Sequence, residues 1–308
     1  MVLGGIIQLL SYGSQDIHLT GNPQMSYFKS VYKKYSNFSI ETIEEVIKNK
    51  LELQPINNYV HKKNNRRVSC KLSKKGDLLK DILLELDITE PIIQNWEGLV
   101  KRPGLVLIDF IEFEIGGVVI DKLYGEWIDI YYQMCMNTDK YTKLSRLING
   151  SLYQYKDCSP LNNQQTNILK FYIPIPFFFT KHIGLALPVF LLEYNEIVIH
   201  ITFKSDNSIL KINKNSNIIN RPKIENIKLL GDYIFLSKEE KLKFKSYTKD
   251  YIIEQLQSTT KKHFFSNVSN INIDLPFHHP CKELIWICQD EYNLIQSTSP
   301  NLGKYNPF

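Results

Sequence analysis

The stretch LVLIDFIEFEIGGVVI at residues 105–120 decides the fold class of this 308-residue chain. Apolar and acidic residues alternate along it, apart from a one-residue slip at Ile111. A period of two is typical of a β-strand that buries one face. The pair Gly116 and Gly117 then predicts a tight turn into a second strand over residues 118–123. The sequence therefore predicts a β-hairpin here.

Further strand and helix signals extend from this hairpin in both directions. Strands are predicted at residues 78–88, 196–203, 270–275 and 283–289. Helices are predicted at residues 125–136 and 237–257, the second because Ser237 and Glu240 match a capping box. Many strands and few helices predict an all-β sandwich.

The composition agrees with a globular β protein. Hydrophobic residues make up 43% and charged residues 22% of the chain, which are ordinary globular values. The single alanine, Ala186, and the 12% of aromatic residues argue against a helical bundle. The net charge of +5 is spread along the chain without a basic stripe that alternates with aromatic residues, so we predict no specific nucleic-acid binding.

Cysteine usage and apolar runs indicate the compartment. Five irregularly spaced cysteines form no disulfide framework and suit a reducing compartment. The N-terminus lacks a basic region and a cleavage-site pattern, so no signal peptide is predicted. The longest apolar run, residues 173–190, is interrupted by prolines and charged residues, and we predict no transmembrane helix.

One group of residues contains atoms that can bind a metal. It consists of His278, His279, Cys281 and Cys288. Its spacing fits no standard zinc pattern and Pro280 interrupts it, which favours structural or surface roles. We therefore predict no metal-ligating residue and no cofactor.

Two carboxylates and a histidine lie on predicted strands. Glu112 and Glu114 share one strand face, as the paired carboxylates of glycosidases do. The period of two explains their spacing equally well, and we interpret His200 as a polar-face residue rather than a general base. We predict no catalytic residue.

Four stretches carry a resemblance to a known family. They are residues 5–38, with YGSQD, LTGNPQ and FKSVYKKYSNF; residues 174–203, PIPFFFTKHIGLALPVFLLEYNEIVIHITF; residues 232–257, DYIFLSKEEKLKFKSYTKDYIIEQLQ; and residues 275–289, LPFHHPCKELIWICQ. In this order they resemble the major capsid proteins of the nucleocytoplasmic large DNA viruses, which include iridoviruses, chlorella viruses and mimivirus-like giants.

The resemblance implies an all-β, double jelly-roll capsid fold, with the first jelly roll complete and the second only partial. Residues 1–40 would form an N-terminal arm and the first strands, residues 41–215 the first jelly-roll domain, and residues 216–308 a partial second domain with a helix near 237–257. Because family members are usually longer, we expect a C-terminally truncated chain. At least one of Phe177, Phe178 and Phe179 should face a second packed surface, either the other jelly roll or a partner subunit.

The implied function is structural and not enzymatic. The chain would form homotrimers with a pseudo-hexagonal outline, which tile the icosahedral shell of a large DNA virus. Neighbouring capsomers and minor capsid proteins would be its partners, near an internal membrane of the virion, after assembly in the host cytoplasm. A minor capsid paralogue and a non-functional capsid gene fragment stay open as alternatives. A jelly-roll enzyme or carbohydrate-binding module would need a concave site with clustered His and carboxylates or stacked aromatic residues.

Overall fold

The computed structural model describes residues 38–47, 66–90, 92–94, 98–100, 102–149, 168–204, 206–211, 217–246, 251–259 and 270–288. In chain order its strands are β1 (Phe38–Glu45), β2 (Arg67–Lys71), β3 (Leu78–Thr89), β4 (Ile92–Gln94), β5 (Gly98–Leu99), β6 (Ile108–Ile115), β7 (Val118–Tyr124), β8 (Ile168–Pro174), β9 (Ile197–Phe203), β10 (Leu210–Lys211), β11 (Asn217–Asn220) and β12 (Ile224–Leu236). Its α-helices are α1 (Pro103–Leu107), α2 (Gly125–Cys135), α3 (Thr138–Asn149) and α4 (Lys238–Ser246). Short 3-10 helices lie at Ile183–Leu185, Val189–Leu191 and Asp206–Ile209.

Eight of these strands build two four-stranded sheets. The first sheet has the order β1-β12-β3-β8 and the second the order β2-β9-β6-β7, and every pairing is antiparallel. Of these eight strands, only β6 and β7 are successive neighbours within one sheet, and the other connections cross between the sheets. This arrangement is a jelly roll of two packed sheets. The prediction of an all-β sandwich is confirmed.

Alternating side chains of both sheets form one apolar core. Ile197, Ile199 and Ile201 of β9 face Leu84 and Leu86 of β3 across the same core cluster. All of these side chains are buried, as the period of two in each strand requires. The strands predicted at residues 78–88 and 196–203 are thus confirmed as β3 and β9.

The hairpin predicted from residues 105–120 is present as β6 and β7. The slip in its pattern has a structural cause, because the pairing of β6 with β9 shifts between Ile108 and Phe110. After the shift Ile111 is buried and Phe110 is only partly buried. Gly116 and Gly117 form the turn with φ values of 59° and 86°, a conformation that favours glycine.

The two predicted helices differ in outcome. The prediction at residues 125–136 is confirmed by α2. Within the described residues, the helix predicted at 237–257 is present as α4, where the amide of Glu240 donates to the Ser237 hydroxyl at 3.4 Å. Residues 251–257 are not helical. Tyr251 and Leu256 pack instead against the main core, and this packing competes with continuation of the helix.

The two strands predicted after residue 269 are wrong for the described residues 270–288, which contain no strand. Ile271, Ile273 and Leu275 do alternate with polar residues, but all three side chains are exposed. A strand requires a neighbour to complete its hydrogen bonds, and no strand of the described part of the chain pairs with this segment.

The first sandwich extends further along the chain than predicted. Strand β12 lies between β1 and β3, so residues 224–236 complete the first sheet although the predicted boundary between the domains is at residues 215–216. In the Asn-rich stretch before β12, strand β11 pairs with β4. Residues 1–37 of the predicted arm lie outside the described residues. The division into an arm and two domains otherwise stays a prediction.

Candidate functional site

The outer face of the second sheet carries the two carboxylates of the predicted strand. The Glu112 carboxylate lies 2.9 Å from Arg67 Nη2 of β2 and 3.1 Å from Lys122 Nζ of β7. The Lys122 ammonium also lies 3.8 Å from the centroid of the Phe110 ring. Glu112 is therefore neutralised by cations on both sides of its strand, which is typical of cross-strand pairing on a sheet.

Glu114 belongs to a second polar row on the same face. His200 Nε2 lies 3.0 Å from Glu114 Oε2, and His200 Nδ1 lies 2.7 Å from Ser69 Oγ. Strands β2, β9 and β6 are adjacent, and the period of two directs all three side chains outward. We call the two rows, Arg67–Glu112–Lys122 and Ser69–His200–Glu114, the polar ladder.

A serine, a histidine and a carboxylate in contact resemble a nucleophilic triad in composition. Acyl transfer also requires N–H donors that point at the developing oxyanion. In a sheet the backbone N–H groups lie in the plane of the ladder, perpendicular to the outward side chains. The polar ladder therefore joins four strands and does not form a hydrolytic centre.

The residues near position 280 contain the histidines and cysteines that we considered as metal ligands. Among the residues that the structure describes, no group of three or more His, Cys, Asp or Glu side chains is arranged to hold a metal ion. The backbone of His278 is bound by the Gln257 side chain, with its N–H donating at 2.9 Å and its carbonyl accepting at 3.0 Å. Cys281 Sγ contacts the carbonyl of Glu283 at 3.3 Å. The two Gln257 hydrogen bonds hold the segment to the chain near residue 257.

The outer face of the first sheet is apolar at one end. Leu78, Ala186 and Ile234 form a small buried cluster that is separate from the main core. Three aromatic or aliphatic side chains pack against it, Phe190, Leu236 and Phe244. The rings of Phe190 and Phe244 meet edge to face with centroids 6.0 Å apart, so α4 and the neighbouring 3-10 turn cover one side of this cluster.

The other side of the small cluster reaches β1, which is the edge strand of this sheet among the strands that the structure describes. Phe38 pairs with Leu236 and Ile40 with Ile234, and directly opposed residues lie on one face. Phe38 is 45% exposed and Ile40 47% exposed. We call Phe38, Ile40, Ile234 and Leu236 the β1 edge patch. Apolar side chains on an unpaired edge strand are typical of an association surface.

A buried carboxylate fixes β1 at its other end. Glu45 is 3% exposed and accepts hydrogen bonds from the Tyr233 hydroxyl at 2.6 Å, the Ser73 hydroxyl at 2.7 Å and the Ser73 amide at 2.8 Å. Burial, followed by the contact with Glu45, raises the pKa of Tyr233 well above its usual range. Burial and Glu45 also raise the pKa of the Cys70 thiol to about 12. The network anchors the edge strand to β12, and no sequence motif had indicated it.

The three consecutive phenylalanines lie in a turn, and all are buried. The Phe177 and Phe179 rings pack against Phe113 with centroid distances of 5.1 and 5.2 Å. The Phe178 ring meets Tyr251 edge to face at 5.8 Å. All three side chains belong to the same core cluster, against which Tyr251 also packs, so the prediction that one of them faces a second packed surface is wrong.

Comparisons with known proteins agree with this architecture. The sequence model of the family described as "Major capsid protein N-terminus" matches residues 26–237, more than half of the chain. The chain belongs to the major capsid protein family. The matched range ends one residue after β12, where the last strand of the eight-stranded sandwich ends.

Two curated relatives are viral major capsid proteins. The chain is 34% identical over 285 residues to the major capsid protein of Pyramimonas orientalis virus, which covers 92% of this chain and 65% of that protein. It is 34% identical over 302 residues to that of Paramecium bursaria Chlorella virus 1, covering 96% of this chain and 63% of that protein. The chain thus spans less than two thirds of the length of either relative.

A solved structure of a viral capsid protein is also similar to this chain. The structure of PBCV-1 VP54, fitted into a reconstruction of the virophage Sputnik, superposes with a TM-score of 0.56 at 30% identity over 75% of this chain and 50% of that chain. The predicted double jelly-roll capsid fold and the family resemblance are confirmed. The relatives are structural proteins of the virion capsid and not enzymes. No helix in the described part of this chain has the length and apolar character needed to cross a membrane.

Proposed function

We propose that this chain is a structural capsid subunit that trimerises into pseudo-hexagonal capsomers of an icosahedral shell. One observation carries the proposal: the family match coincides with an eight-stranded sandwich whose edge strand β1, among the described strands, is apolar and has a neighbour on one side only. A shell protein works through its shape and its contacts with copies of itself. The polar ladder and the β1 edge patch fit such a role, since one stabilises the sheet and the other offers apolar area to a neighbour.

The proposal includes the setting of the subunit. Its partners are further copies of the chain, neighbouring capsomers and minor capsid proteins, and it lies near an internal membrane of the virion after assembly in the host cytoplasm. Specific recognition of nucleic acid is no part of this function. The spread of charge along the chain supports that view, because a net charge of +5 is small for 308 residues.

Light scattering after size-exclusion chromatography tests the proposal. We expect a mass of three times the 36.1 kDa of the chain, or larger arrays visible by negative-stain electron microscopy. Association through apolar surface is expected to persist at high salt, because salt screens charge pairs and not apolar contacts. A monomer over the whole micromolar range would contradict the proposal, as would stoichiometric binding of a sugar or a metal by that monomer.

A further inference from the structure

Asp121 occupies a position that the strand pattern reserves for an apolar residue. On β7 it lies two residues before the buried Leu123, on the same face, and it pairs directly with Phe113 of the main core. Asp121 is only 4% exposed. A carboxylate on the core side of a sheet is costly unless it finds hydrogen-bond donors.

One of its donors comes from beyond the sandwich. Asp121 Oδ1 accepts the amide of Lys122 at 2.9 Å and the amide of Leu256 at 3.3 Å. The neighbouring Gln255 side chain donates to the carbonyl of Ile120 at 2.5 Å. The chain after α4 therefore binds the free edge of β7 at two successive residues. We call residues 251–257 the closing segment.

Apolar contacts hold the closing segment over the flank of the sandwich. Its Tyr251 ring packs edge to face on Phe178, and its hydroxyl donates to the carbonyl of Leu185. Tyr251 and Leu256 both pack against the main core cluster. The closing segment thus completes the core of a sandwich whose last strand ends at Leu236.

The charged groups around this contact belong to three parts of the chain. Lys181 follows the phenylalanine turn and acts on Asp121 through its positive charge. Glu254 of the closing segment pairs with Lys181 at 2.5 Å and with Lys282 of the segment 270–288 at 2.7 Å. The Lys122 side chain is turned to Glu112 on the outer face. Glu254 therefore shares Lys181 with Asp121 and weakens the positive field that would keep Asp121 ionised.

We propose that the closing segment is a proton-sensitive latch, which docks on β7 more firmly when Asp121 is protonated and opens more readily when Asp121 is ionised. The neutral carboxyl still accepts the Leu256 amide through its carbonyl oxygen, and it avoids the cost of a charge that the docked segment shields from solvent. The latch couples the first sandwich to the chain that follows it, whatever the assembly in which the protein takes part.

The raised pKa of Asp121 supports firmer docking of the closing segment in the protonated state. Burial raises the pKa of Asp121 from 3.8 to about 6, although the amides of Leu256 and Lys122 and the charge of Lys181 act against the rise. Undocking of the closing segment would expose Asp121 to solvent and return its pKa towards 3.8, so the docked form binds the proton more tightly. Its stabilising effect is therefore complete at low pH and is lost as the pH rises through about 6.

Glu254 acts with the opposite sign in a different pH range. Burial favours its neutral form, but hydrogen bonds from Lys181 and Lys282 dominate and lower its pKa below 4.5. Its contribution is present above its ordinary pKa and is lost only when the pH falls through the lowered value. Between pH 5 and pH 8 the measurement therefore avoids the titration of Glu254, and comparison with Asp121→Asn separates Asp121 from the histidines, which also change charge in this range.

Hydrogen exchange of the 308-residue chain between pH 5 and pH 8 tests the latch. After correction for intrinsic exchange, we expect the opening constant of the amides in residues 251–257 to rise about tenfold from pH 5 to pH 8. Asp121→Asn should abolish this pH dependence and keep the amides as protected at pH 8 as in the wild type at pH 5. Asp274→Asn, at an exposed position, is the matched control and should behave as wild type.

Glu254→Gln provides a second variant that does not depend on the folding of Asp121→Asn. It should raise the opening constant, because it removes the ion pairs, and it should shift the pH dependence to lower pH, because Lys181 then acts on Asp121 without the opposing charge of Glu254. A wild-type profile that is flat between pH 5 and pH 8 would overturn the proposal. So would an Asp121→Asn variant that retains the pH dependence or is less protected than wild type at pH 8.

Discussion

The two outer faces of this sandwich satisfy their side chains in different ways. On the second sheet, the polar ladder matches Glu112 with two cations and Glu114 with His200. On the first sheet, the β1 edge patch leaves Phe38 and Ile40 about half exposed at a free edge. A face whose polar groups already have partners gains little from a neighbour, whereas exposed apolar area gains free energy when it is covered. The difference favours the first sheet as the association face in our proposal.

The largest effect is expected from the core that both faces share. Phe113→Ala removes the ring that contacts Phe177 and Phe179, and we expect a loss of about 3–5 kcal/mol of unfolding free energy. Phe38→Ala makes the same substitution on the exposed edge and should change the stability of the dissociated, monomeric chain by less than about 0.5 kcal/mol. Urea unfolding of both variants measures the difference. Equal losses would mean that Phe38 is not exposed in solution.

Charges on the apolar edge should abolish association. Phe38→Lys with Ile40→Lys should weaken self-association more than about a hundredfold, if each side chain contributes about 2 kcal/mol as central contact residues do. Val118→Lys with Val119→Lys is the matched control, because these valines are 61% and 46% exposed on the other sheet. Sedimentation velocity over a concentration series measures both. Loss of association in the valine variant alone would assign the contact to the second sheet.

The anchor of the edge strand should have an intermediate effect. Tyr233→Phe removes a hydroxyl that donates to Glu45 and leaves this buried carboxylate with fewer donors. We expect a loss of about 1–3 kcal/mol in unfolding free energy. Hydrogen exchange of β1 should increase more than that of β9, because Glu45 lies on β1. An unchanged exchange rate in β1 would show that the carboxylate does not hold the strand.

The smallest effect is expected in the polar ladder. Glu112→Gln removes two surface ion pairs, and we expect a loss of at most about 1 kcal/mol in unfolding free energy, decreasing with added salt. The mass of the assembly should not change. A double-mutant cycle with Arg67→Ala isolates the energy of the pair. A change in assembly mass without a loss of stability would show that copies associate through the outer face of the second sheet, which carries the polar ladder.

A strand could be predicted from the sequence where it buries only one of its two faces, because its apolar and polar residues then alternate. The alternation in β3, β6 and β9 gave their position, and the glycine pair gave the hairpin turn. Helix α3 was missed, although Leu144 and Ile148 are buried one turn apart on it, because the rest of its sequence is polar. The inclusion of β12 in the first sheet was also missed, since long-range pairing has no local signal.

The polar residues of the site were partly predictable. Glu112, Glu114 and His200 were correctly interpreted as polar-face residues from the period of two. The buried Glu45 and Asp121 were not recognised, yet each lies two residues from an apolar side chain that packs on the core, Ile43 and Leu123. A charged residue at an inward position is the available signal, but its partners, Tyr233 and Leu256, lie more than 100 residues away.

A cryo-electron microscopy map of the assembled chain tests the association face most directly. Our account predicts three copies around a threefold axis, with Phe38 and Ile40 of each copy covered by a neighbour and the polar ladder facing solvent or solvated gaps. A map in which the β1 edge patch faces open solvent, while Glu112 and His200 lie in the subunit contact, would contradict it.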